Sequence, residues 1–487
     1  MTELADPVAW LILLPLFWAT GAFLLGPGRG AGLAIAGTAV QCALTFVLAG
    51  ELLAHGSRSH AVGGWGAPLG IDLGVDGLAA VMLLLTQMAG LPLLLFARGY
   101  FRPDDAAARH FWPLAGFLLA GLNALFLSAD LFNLYVTLEL VGLAAVGLVA
   151  AGGGAGQIAA ALRYLFATLV GSGMYLLGVA LVYGAYGTVS IAPLAPLVDA
   201  GAPAAVRIAA ALMLAGLMLK TALFPFHYWL PPAHGGAPAP VSALLSALVV
   251  KASFYLILRL WLGPFAPLAD AVAWLPALLG SAAILWGSWR AIRAARLKML
   301  VAWSTVAQLG YLFLIFPLLG PDAGSGNTAL QAGGMQVVAH GLAKAAMFTA
   351  AGVLIHVTGR DDVAGVAGIA DRLPVTLFAF ALAGVTLMGL PPSGGFLAKW
   401  LLIDAALAQG QWGLVAVIVA GGLLAAAYVF RVLRQAFMVP PQGERRHPAQ
   451  HASPLLEWTA FALAAASVLL GLRGMELLRL LAVGSGT

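Results

Sequence analysis

Four of the five lysines, Lys220, Lys251, Lys344 and Lys399, lie inside long apolar stretches, as does the acid Glu139. The nineteen arginines lie in the segments between these stretches or near their ends. Arginine keeps its proton under nearly all conditions in proteins, whereas a buried lysine can lose its proton. Because a site that takes up and releases protons requires such a group, this distribution predicts that the four lysines exchange protons.

The alternative interpretation is that the lysine side chains extend to the membrane surface. Lys251 lies about ten residues, or roughly 15 Å, from either end of its apolar stretch, which is farther than its side chain reaches. An ionisable side chain near the middle of an apolar span costs free energy to bury, and for this reason such a residue usually has a functional role. We therefore favour proton exchange over simple anchoring at the surface.

Other polar residues lie where they could relay protons. Pairs four residues apart share one face of a helix, and they are Tyr135 and Glu139, Lys251 and Tyr255, Ser304 and Gln308, and His340 and Lys344. Histidine titrates near neutral pH and suits proton transfer, and the candidates near the ends of apolar stretches are His227, His234 and His356. For His356 an interfacial position remains the alternative. For Ser304 and Gln308 the alternative is hydrogen bonding between helices.

The composition shows that lipid surrounds most of the chain. Hydrophobic residues make up 62% and charged residues 9% of the sequence, whereas soluble proteins carry about 25% charged residues. The apolar runs are continuous and about twenty residues long, which favours helices over a β-barrel. A single cysteine, Cys42, excludes an internal disulfide and cysteine-based metal or iron–sulfur sites. We expect no cofactor, no metal and no nucleic-acid partner.

The hydropathy pattern predicts an all-α polytopic membrane protein with about fourteen transmembrane helices. The expected spans are residues 8–26, 31–53, 76–98, 111–128, 131–151, 160–186, 205–225, 241–262, 271–290, 297–319, 329–358, 374–409, 411–437 and 455–475.

The basic residues predict the orientation of these spans. Fifteen Lys and Arg residues lie in loops after odd-numbered spans, and five lie in loops after even-numbered spans or near the C-terminus. Loops on the cytoplasmic side carry an excess of Lys and Arg. We therefore expect both termini on the outer, periplasmic side of a bacterial inner membrane.

Proline and glycine interrupt two of the spans close to a lysine. One segment runs from Lys220 through Pro225 and Pro231 to His234, and the other runs from Gly389 through Pro391 to Lys399. Irregular backbone at membrane depth is tolerated only where it is buried in protein or lines water. Such a pair in corresponding places of two halves indicates a transport path.

The two interruptions suggest an internal repeat. The expected organisation is N-terminal helices in residues 1–110, a first five-helix repeat in 111–262, a second in 271–437 and a C-terminal helix and tail in 455–487.

Several motifs resemble those of the antiporter-like membrane subunits. The segment Asp130-Leu-Phe-Asn-Leu-Tyr-Val-Thr-Leu-Glu139 is similar to the glutamate-bearing fifth helix of that family. The region from Lys220 to Lys251, with Phe-Pro-Phe-His-Tyr-Trp-Leu-Pro-Pro-Ala-His, resembles the seventh and eighth helices. Further matches are Leu297 to Tyr311, His340-Gly-Leu-Ala-Lys344 and Gly389-Leu-Pro-Pro-Ser-Gly-Gly-Phe-Leu-Ala-Lys399.

This family comprises large membrane subunits of respiratory complex I, of Mrp-type cation/proton antiporters and of membrane-bound hydrogenases. The resemblance covers nearly the whole chain, and the Asn-Leu-Tyr-Val segment is most similar to the D-type subunit of the Mrp antiporters. It implies fourteen helices with two inverted five-helix repeats. It also implies that Glu139 and Lys220 form a coupled ion pair, that Lys251 is the central proton site and that Lys399 is the exit-side lysine. His340 and Lys344 would continue the polar axis between the halves.

The resulting prediction is a proton-translocating subunit of a multisubunit Na⁺/H⁺ antiporter, with other membrane subunits, the lipid bilayer, protons and Na⁺ as partners. One alternative is a proton-pumping subunit of a complex I-like NADH:quinone oxidoreductase or a membrane-bound hydrogenase. Another is a membrane energy-coupling partner of a bicarbonate-accumulating complex. The chain carries no ligands for a redox cofactor, so we expect no catalytic chemistry within this chain itself.

The predicted orientation can be tested by cysteine accessibility on a background that lacks Cys42. A cysteine placed at Arg293 is expected to react with a membrane-impermeant thiol reagent only from the cytoplasmic side, because that loop is rich in basic residues. Reaction of this cysteine from the outer side of intact cells would contradict the orientation.

Overall fold

The computed structural model describes residues 6–67, 69–320, 323–439 and 452–484. In the first half of the chain the helices are α1 (Pro7–His55), α2 (Gly77–Tyr100), α3 (Ala106–Leu127), α4 (Leu131–Ala150), α5 (Ala155–Tyr186), α6 (Ile191–Leu194), α7 (Ala204–Thr221), α8 (Leu230–Gly236), α9 (Ala239–Leu244) and α10 (Val250–Leu262). In the second half they are α11 (Ala266–Ala269), α12 (Trp274–Arg293), α13 (Leu297–Phe313), α14 (Ala323–Thr358), α15 (Pro374–Met388), α16 (Gly394–Ala408), α17 (Trp412–Ala436), α18 (Pro454–Leu472) and α19 (Gly474–Leu481).

The strands of the described chain form one short hairpin. Strand β1 (Arg58–Ala61) pairs antiparallel with β2 (Asp72–Val75), with Arg58 opposite Val75 and Ala61 opposite Asp72. The hairpin lies between α1 and α2, so an all-α membrane architecture is confirmed for nearly all of the described chain.

The expected count of fourteen spans is not confirmed. Among the described residues, eleven helices are long and apolar enough to cross a membrane, or twelve if the bent pair Ala266–Val272 and Trp274–Arg293 is one span. Helix α1 consists of two helical segments that meet at Gly26, whose φ of 75° and ψ of 175° are not helical and suit only glycine. The segments pack against each other, since Trp18 Nε1 donates to Gln41 Oε1 at 3.3 Å and Gln41 Nε2 donates to the Leu11 carbonyl oxygen at 3.4 Å. They correspond to the expected spans 8–26 and 31–53. The expected span 374–409 is divided into α15 and α16, each of 15 residues, which is short for a bilayer crossing.

Both predicted interruptions are present. Helix α7 ends where Ala222 adopts a left-handed conformation (φ 58°), and a 3₁₀ turn precedes α8. Helix α15 ends where Gly389 adopts a left-handed conformation (φ 81°), and the Ser393 hydroxyl caps the start of α16 by accepting the Phe396 N–H at 3.1 Å. The inverted relation of the two five-helix sets remains a prediction.

The helices are arranged in a buried centre and a periphery with an exposed apolar surface. Helices α9, α10, α13 and most of α14 are almost wholly buried, and these helices carry Lys251 and Lys344. Peripheral helices expose large apolar side chains, for example Phe23, Leu423 and Trp458. Such a surface requires lipid or partner subunits, and the protein is a multi-pass membrane protein.

Part of the orientation argument concerns residues beyond the described ranges. Arg445 and Arg446 contribute to the basic bias of the loop before α18, but they lie outside the described residues, as do residues 1–5 and 485–487. The sidedness of the termini therefore remains a prediction from the sequence.

Glycines bring α5 and α7 unusually close together beside Lys220. A Cβ atom on Gly171 would lie 2.8 Å from the Gly216 carbonyl oxygen and 2.9 Å from Lys220 Cγ. A Cβ atom on Gly216 would lie 2.4 Å from the Gly171 carbonyl oxygen. The glycine contact thus sets the separation of two helices that hold the candidate site.

Gly171→Ala is expected to destabilise the protein by about 1–3 kcal/mol, the usual cost of overpacking a close contact. Thermal unfolding of the purified assembly in detergent measures this change. The matched control is Gly173→Ala on the same helix, because a Cβ atom at Gly173 has no atom within 4 Å. Equal melting temperatures for the two variants would contradict the proposed close contact.

Candidate functional site

The first polar cluster joins α4, α5 and α7. Lys220 Nζ, in the last turn of α7, donates to Glu139 Oε1 of α4 at 3.0 Å. The Ser172 hydroxyl of α5 donates to Glu139 and accepts from Lys220. The pair that the family resemblance implied is therefore in direct contact, with a shared hydroxyl between the two charges.

The burial of this ion pair is unequal. The Lys220 side chain is 5% exposed, whereas the Glu139 side chain is 18% exposed. Gly142 and Gly171 lie beside Lys220 and leave room for its side chain. Glu139 therefore lies at the edge of the protein, near the middle of α4, while Lys220 faces inward.

Lys251 is wholly buried at the start of α10. Its ammonium group donates to the Ser246 carbonyl oxygen, which belongs to a π-helical turn at Leu245–Val249. The Ser246 hydroxyl lies 2.9 Å from the Thr305 hydroxyl of α13. A π turn shifts the backbone hydrogen bonds out of helical register, and here the shifted backbone carries the acceptor for the lysine.

Lys344, also wholly buried, binds to α13. Its Nζ lies 2.5 Å from the Val301 carbonyl oxygen and 2.7 Å from the Ser304 hydroxyl. The Lys344 ammonium also lies 5.3 Å from the centroid of the Phe348 ring. Within the described part of the chain, no carboxylate forms an ion pair with Lys344.

Lys399 binds the carbonyl groups that the second interruption frees. Its Nζ donates to the carbonyl oxygens of Leu387 at 2.6 Å and Met388 at 3.2 Å, which are among the carbonyls left without helical partners at the end of α15. The ammonium also lies 4.4 Å from the Tyr311 ring centroid.

Polar side chains of α13 lie between Lys344 and Lys399. Ser304 accepts from Lys344 Nζ at 2.7 Å, and one helical turn later Gln308 Nε2 donates to the Tyr428 hydroxyl at 3.5 Å. Gln308 Nε2 also donates to the Leu387 carbonyl oxygen at 3.0 Å, and that oxygen also accepts from Lys399. Ser304 and Gln308, whose alternative role was helix–helix hydrogen bonding, thus lie between two buried lysines.

His340 and His234 lie near the central lysines. Both ring nitrogens of His340 are buried without a hydrogen-bond partner in the described protein, and the ring lies within electrostatic range of Lys251, Lys344 and Lys399. His234 is likewise buried, with Nδ1 unpartnered, and its ring centroid lies 6.1 Å from that of Phe348.

Four other predicted relay residues lie away from these lysines or make different contacts. His227 packs between aromatic rings, His356 lies against Tyr100 at the end of α14, and Tyr135 packs on Phe132 with a ring-centroid distance of 6.0 Å. Tyr255 donates its hydroxyl proton to the Phe126 carbonyl oxygen at 2.6 Å. The spacing of Tyr255 placed it on the face of Lys251, but its hydroxyl binds a different group.

Sequence reasoning missed three residues. The fifth lysine, Lys298, lies in the first turn of α13, is buried and donates to the Ala237 carbonyl oxygen. Its position inside the expected span 297–319 was the available signal. Ser172 follows Tyr164 and Thr168 at helical spacing on the buried face of α5, which was a weaker signal. Nothing in the local sequence marked Tyr428.

The chain is similar in sequence to membrane subunits of known proteins. Residues 128–425 match the family described as NADH:quinone oxidoreductase/Mrp antiporter, transmembrane. The chain is 37% identical to the N-type subunit of NADH-quinone oxidoreductase from Desulforudis audaxviator over 455 residues, which cover 89% of this chain and 87% of the relative. It is 29% identical to the D-type subunit of the Na⁺/H⁺ antiporter from Alkalihalophilus pseudofirmus over 451 residues, which cover 91% and 89% of the two chains.

A solved structure shows the same fold. One chain of the Mrp complex from Dietzia sp. DQ12-45-1b matches with a TM-score of 0.89 and 27% identity, covering 99% of this chain and 97% of that one. The matched residues 128–425 include Glu139 and all five lysines. The chain belongs to the NADH:quinone oxidoreductase/Mrp antiporter family and is an antiporter-like membrane subunit.

Proposed function

We propose that this chain translocates protons in a multisubunit monovalent cation/proton antiporter that exchanges Na⁺ for H⁺. The observation that carries the proposal is the series of buried lysines that begins at the Glu139–Lys220 pair and ends at Lys399. Lys251, Lys344 and His340 are the other buried members of this series. The likeness to the D-type subunits of Na⁺/H⁺ antiporters and to a chain of a solved Mrp complex supports this choice.

Electrostatics couples the first pair to the rest of the series. Two unit charges about 4 Å apart interact by roughly 4 kcal/mol at an effective dielectric near 20. Opening the Glu139–Lys220 contact therefore changes the energy of the Lys220 ammonium by several kcal/mol. This change is large enough to make Lys220 release its proton, and the loss of that positive charge alters the potential at the next lysine.

The exposed edge of Glu139 supports assembly with another membrane subunit. Its carboxylate lies near the middle of α4, and α4 exposes the apolar side chains of Phe132, Val136 and Leu143 around it. A carboxylate that faces lipid at this depth is costly. A partner subunit over this face would shield the carboxylate and could exchange protons with it.

A second candidate function is proton pumping in a redox-driven complex. The 37% identity to an N-type subunit of NADH-quinone oxidoreductase favours it. In that case an attached redox enzyme, not a cation gradient, would drive the same series of lysines. In either assembly we place the chain in a bacterial inner membrane with the basic loops in the cytoplasm.

Glu139→Gln and Lys220→Ala are each expected to abolish proton transport, because each leaves one charge of the pair buried without its partner. The double variant is expected to be no worse than either single variant, since the two groups act as one unit. The assay is cation-dependent proton flux in everted membrane vesicles that contain the complete assembly. Glu476→Gln is the matched control, because Glu476 pairs with Arg473 at an exposed site. Normal flux in both single variants would contradict this mechanism.

The driving force separates the two candidate functions in the same vesicles. If the chain works in an antiporter, addition of Na⁺ to energised vesicles is expected to produce proton flux. This flux should be the same with and without a redox substrate of this complex. Proton flux that appears only with an electron donor, and that Na⁺ does not alter, would instead favour the redox-driven assembly.

A further inference from the structure

A group of tryptophan and arginine side chains covers the C-terminal end of helix α12. We call this group the basic–aromatic patch, and its members are Trp286, Trp289, Arg290 and Arg293 of α12 and Trp303 of α13. The four members on α12 are exposed, whereas Trp303 is buried beneath them. None of the predicted proton-translocating residues belongs to the patch, so it requires an explanation of its own.

The indole rings hold both guanidinium groups of the patch by their faces. Arg290 Cζ lies 4.4 Å from the Trp303 ring centroid and 5.8 Å from the Trp286 centroid. Arg293 Cζ lies 4.7 Å from the Trp289 centroid, and the Trp286 and Trp289 rings are 5.0 Å apart. A guanidinium group that stacks on a ring keeps its N–H donors available, because these donors point outward in the plane of the group.

The two arginines of the patch have no anionic partner in the described part of the chain. Neither Arg290 nor Arg293 forms an ion pair with a carboxylate there. Carbonyl groups at the end of α12 are bound by another residue, since Arg431 Nη1 donates to the Ile292 and Ala294 carbonyl oxygens at 2.6 and 2.7 Å. The patch therefore presents two fixed guanidinium groups with unused donors at an exposed surface.

Exposed apolar side chains continue from the patch along α12. Leu278, Leu285 and Trp289 are exposed and form one stripe of the helix, since they are seven and four residues apart. Eleven residues separate Leu278 from Trp289, which corresponds to about 16 Å along a helix. The hydrocarbon core of a bilayer is about 30 Å thick, so one leaflet is about 15 Å deep. The stripe thus has the length of one leaflet, with the guanidinium donors at its end.

We propose that the basic–aromatic patch binds one anionic phospholipid of the cytoplasmic leaflet. Arg290 and Arg293 donate to the phosphate oxygens, whose geometry suits the planar guanidinium group. The indoles of Trp286 and Trp289 lie at the level of the glycerol and ester groups, where tryptophan is enriched in membrane proteins. One acyl chain lies along the exposed leucines of the stripe. The basic-residue bias predicts the cytoplasmic side for this end of α12, where anionic lipids attract basic side chains.

The order of side chains along α12 favours a phospholipid over other anions. Guanidinium donors, indoles and aliphatic side chains follow one another in the same order as the phosphate, glycerol and acyl groups of a phospholipid. A free phosphate ion would use only the first of these three parts. A partner subunit on this face would exclude the lipid, and this case has a different outcome in the second test.

The first test removes the positive charges that bind the headgroup. Arg290→Gln combined with Arg293→Gln in the purified, delipidated assembly is expected to lower the affinity for one bound phosphatidylglycerol by about tenfold or more, because two basic side chains near the phosphate are lost. Native mass spectrometry with added phosphatidylglycerol or phosphatidylcholine measures this binding. Phosphatidylcholine binding is expected to stay unchanged, since its headgroup carries no net charge.

The matched control is Arg98→Gln combined with Arg102→Gln, which removes the same charge from exposed side chains at the end of α2. In the described chain neither of these guanidinium groups lies over an aromatic ring. The control is expected to keep the phosphatidylglycerol affinity of the unaltered assembly. An equal loss in both double variants, or no loss in the variant of Arg290 and Arg293, would overturn the proposed site.

The second test leaves both arginines in place. In an assembly lacking Cys42, Leu285→Cys carries a fluorophore on the apolar stripe, and the signal of the assembly without this cysteine is subtracted. Phosphatidylglycerol with brominated acyl chains is expected to quench the fluorophore more strongly than brominated phosphatidylcholine at the same mole fraction, because the bound lipid places its acyl chain there. Equal quenching would indicate bulk lipid only, and no quenching would indicate that a partner subunit covers this face. Either result would overturn the proposal.

Discussion

A lysine ammonium group buried at membrane depth without a partner is very costly, so the surrounding helices must supply an acceptor for each buried lysine. Only Lys220, among the five lysines, has a carboxylate partner in the described chain. The other four bind backbone carbonyl oxygens. The partners are Ser246 for Lys251, Ala237 for Lys298, Val301 for Lys344, and both Leu387 and Met388 for Lys399. A carbonyl stabilises the ammonium without carrying a full negative charge. Such a lysine can therefore lose its proton without leaving a buried anion behind.

The irregular backbone supplies several of these acceptors. The π turn before α10 carries the carbonyl that binds Lys251, and the end of α15 frees the two carbonyls that bind Lys399. At the end of α7 the Trp229 indole donates to the Leu219 carbonyl oxygen at 2.9 Å, so this carbonyl beside Lys220 already has a hydrogen-bond donor. Lys220 binds the Glu139 carboxylate instead. The breaks in the helices and the placement of the lysines are thus parts of one arrangement.

The sequence predicted the features that depend on residue type and local spacing. The lysines at membrane depth, the proline and glycine residues at the breaks, and the family motifs can all be recognised in the sequence alone. Contacts between distant segments cannot be recognised there, and for this reason the contacts of Ser172 and Tyr428 were not predicted. Spacing placed Tyr255 on the face of Lys251 but could not show that its hydroxyl binds Phe126 and Arg259. Hydropathy did separate the two segments of α1, which meet at the non-helical Gly26.

In the proposed mechanism the buried lysines change their protonation state and do not act as fixed positive charges. Lys251→Arg separates these two roles, because arginine keeps the charge but does not release its proton. The measurement is Na⁺-dependent proton flux in vesicles that contain the assembled complex, with the amount of assembled protein determined in parallel. Normal assembly and no flux are expected for Lys251→Arg. Flux equal to that of the unaltered protein would show that the positive charge alone suffices and that Lys251 does not exchange protons.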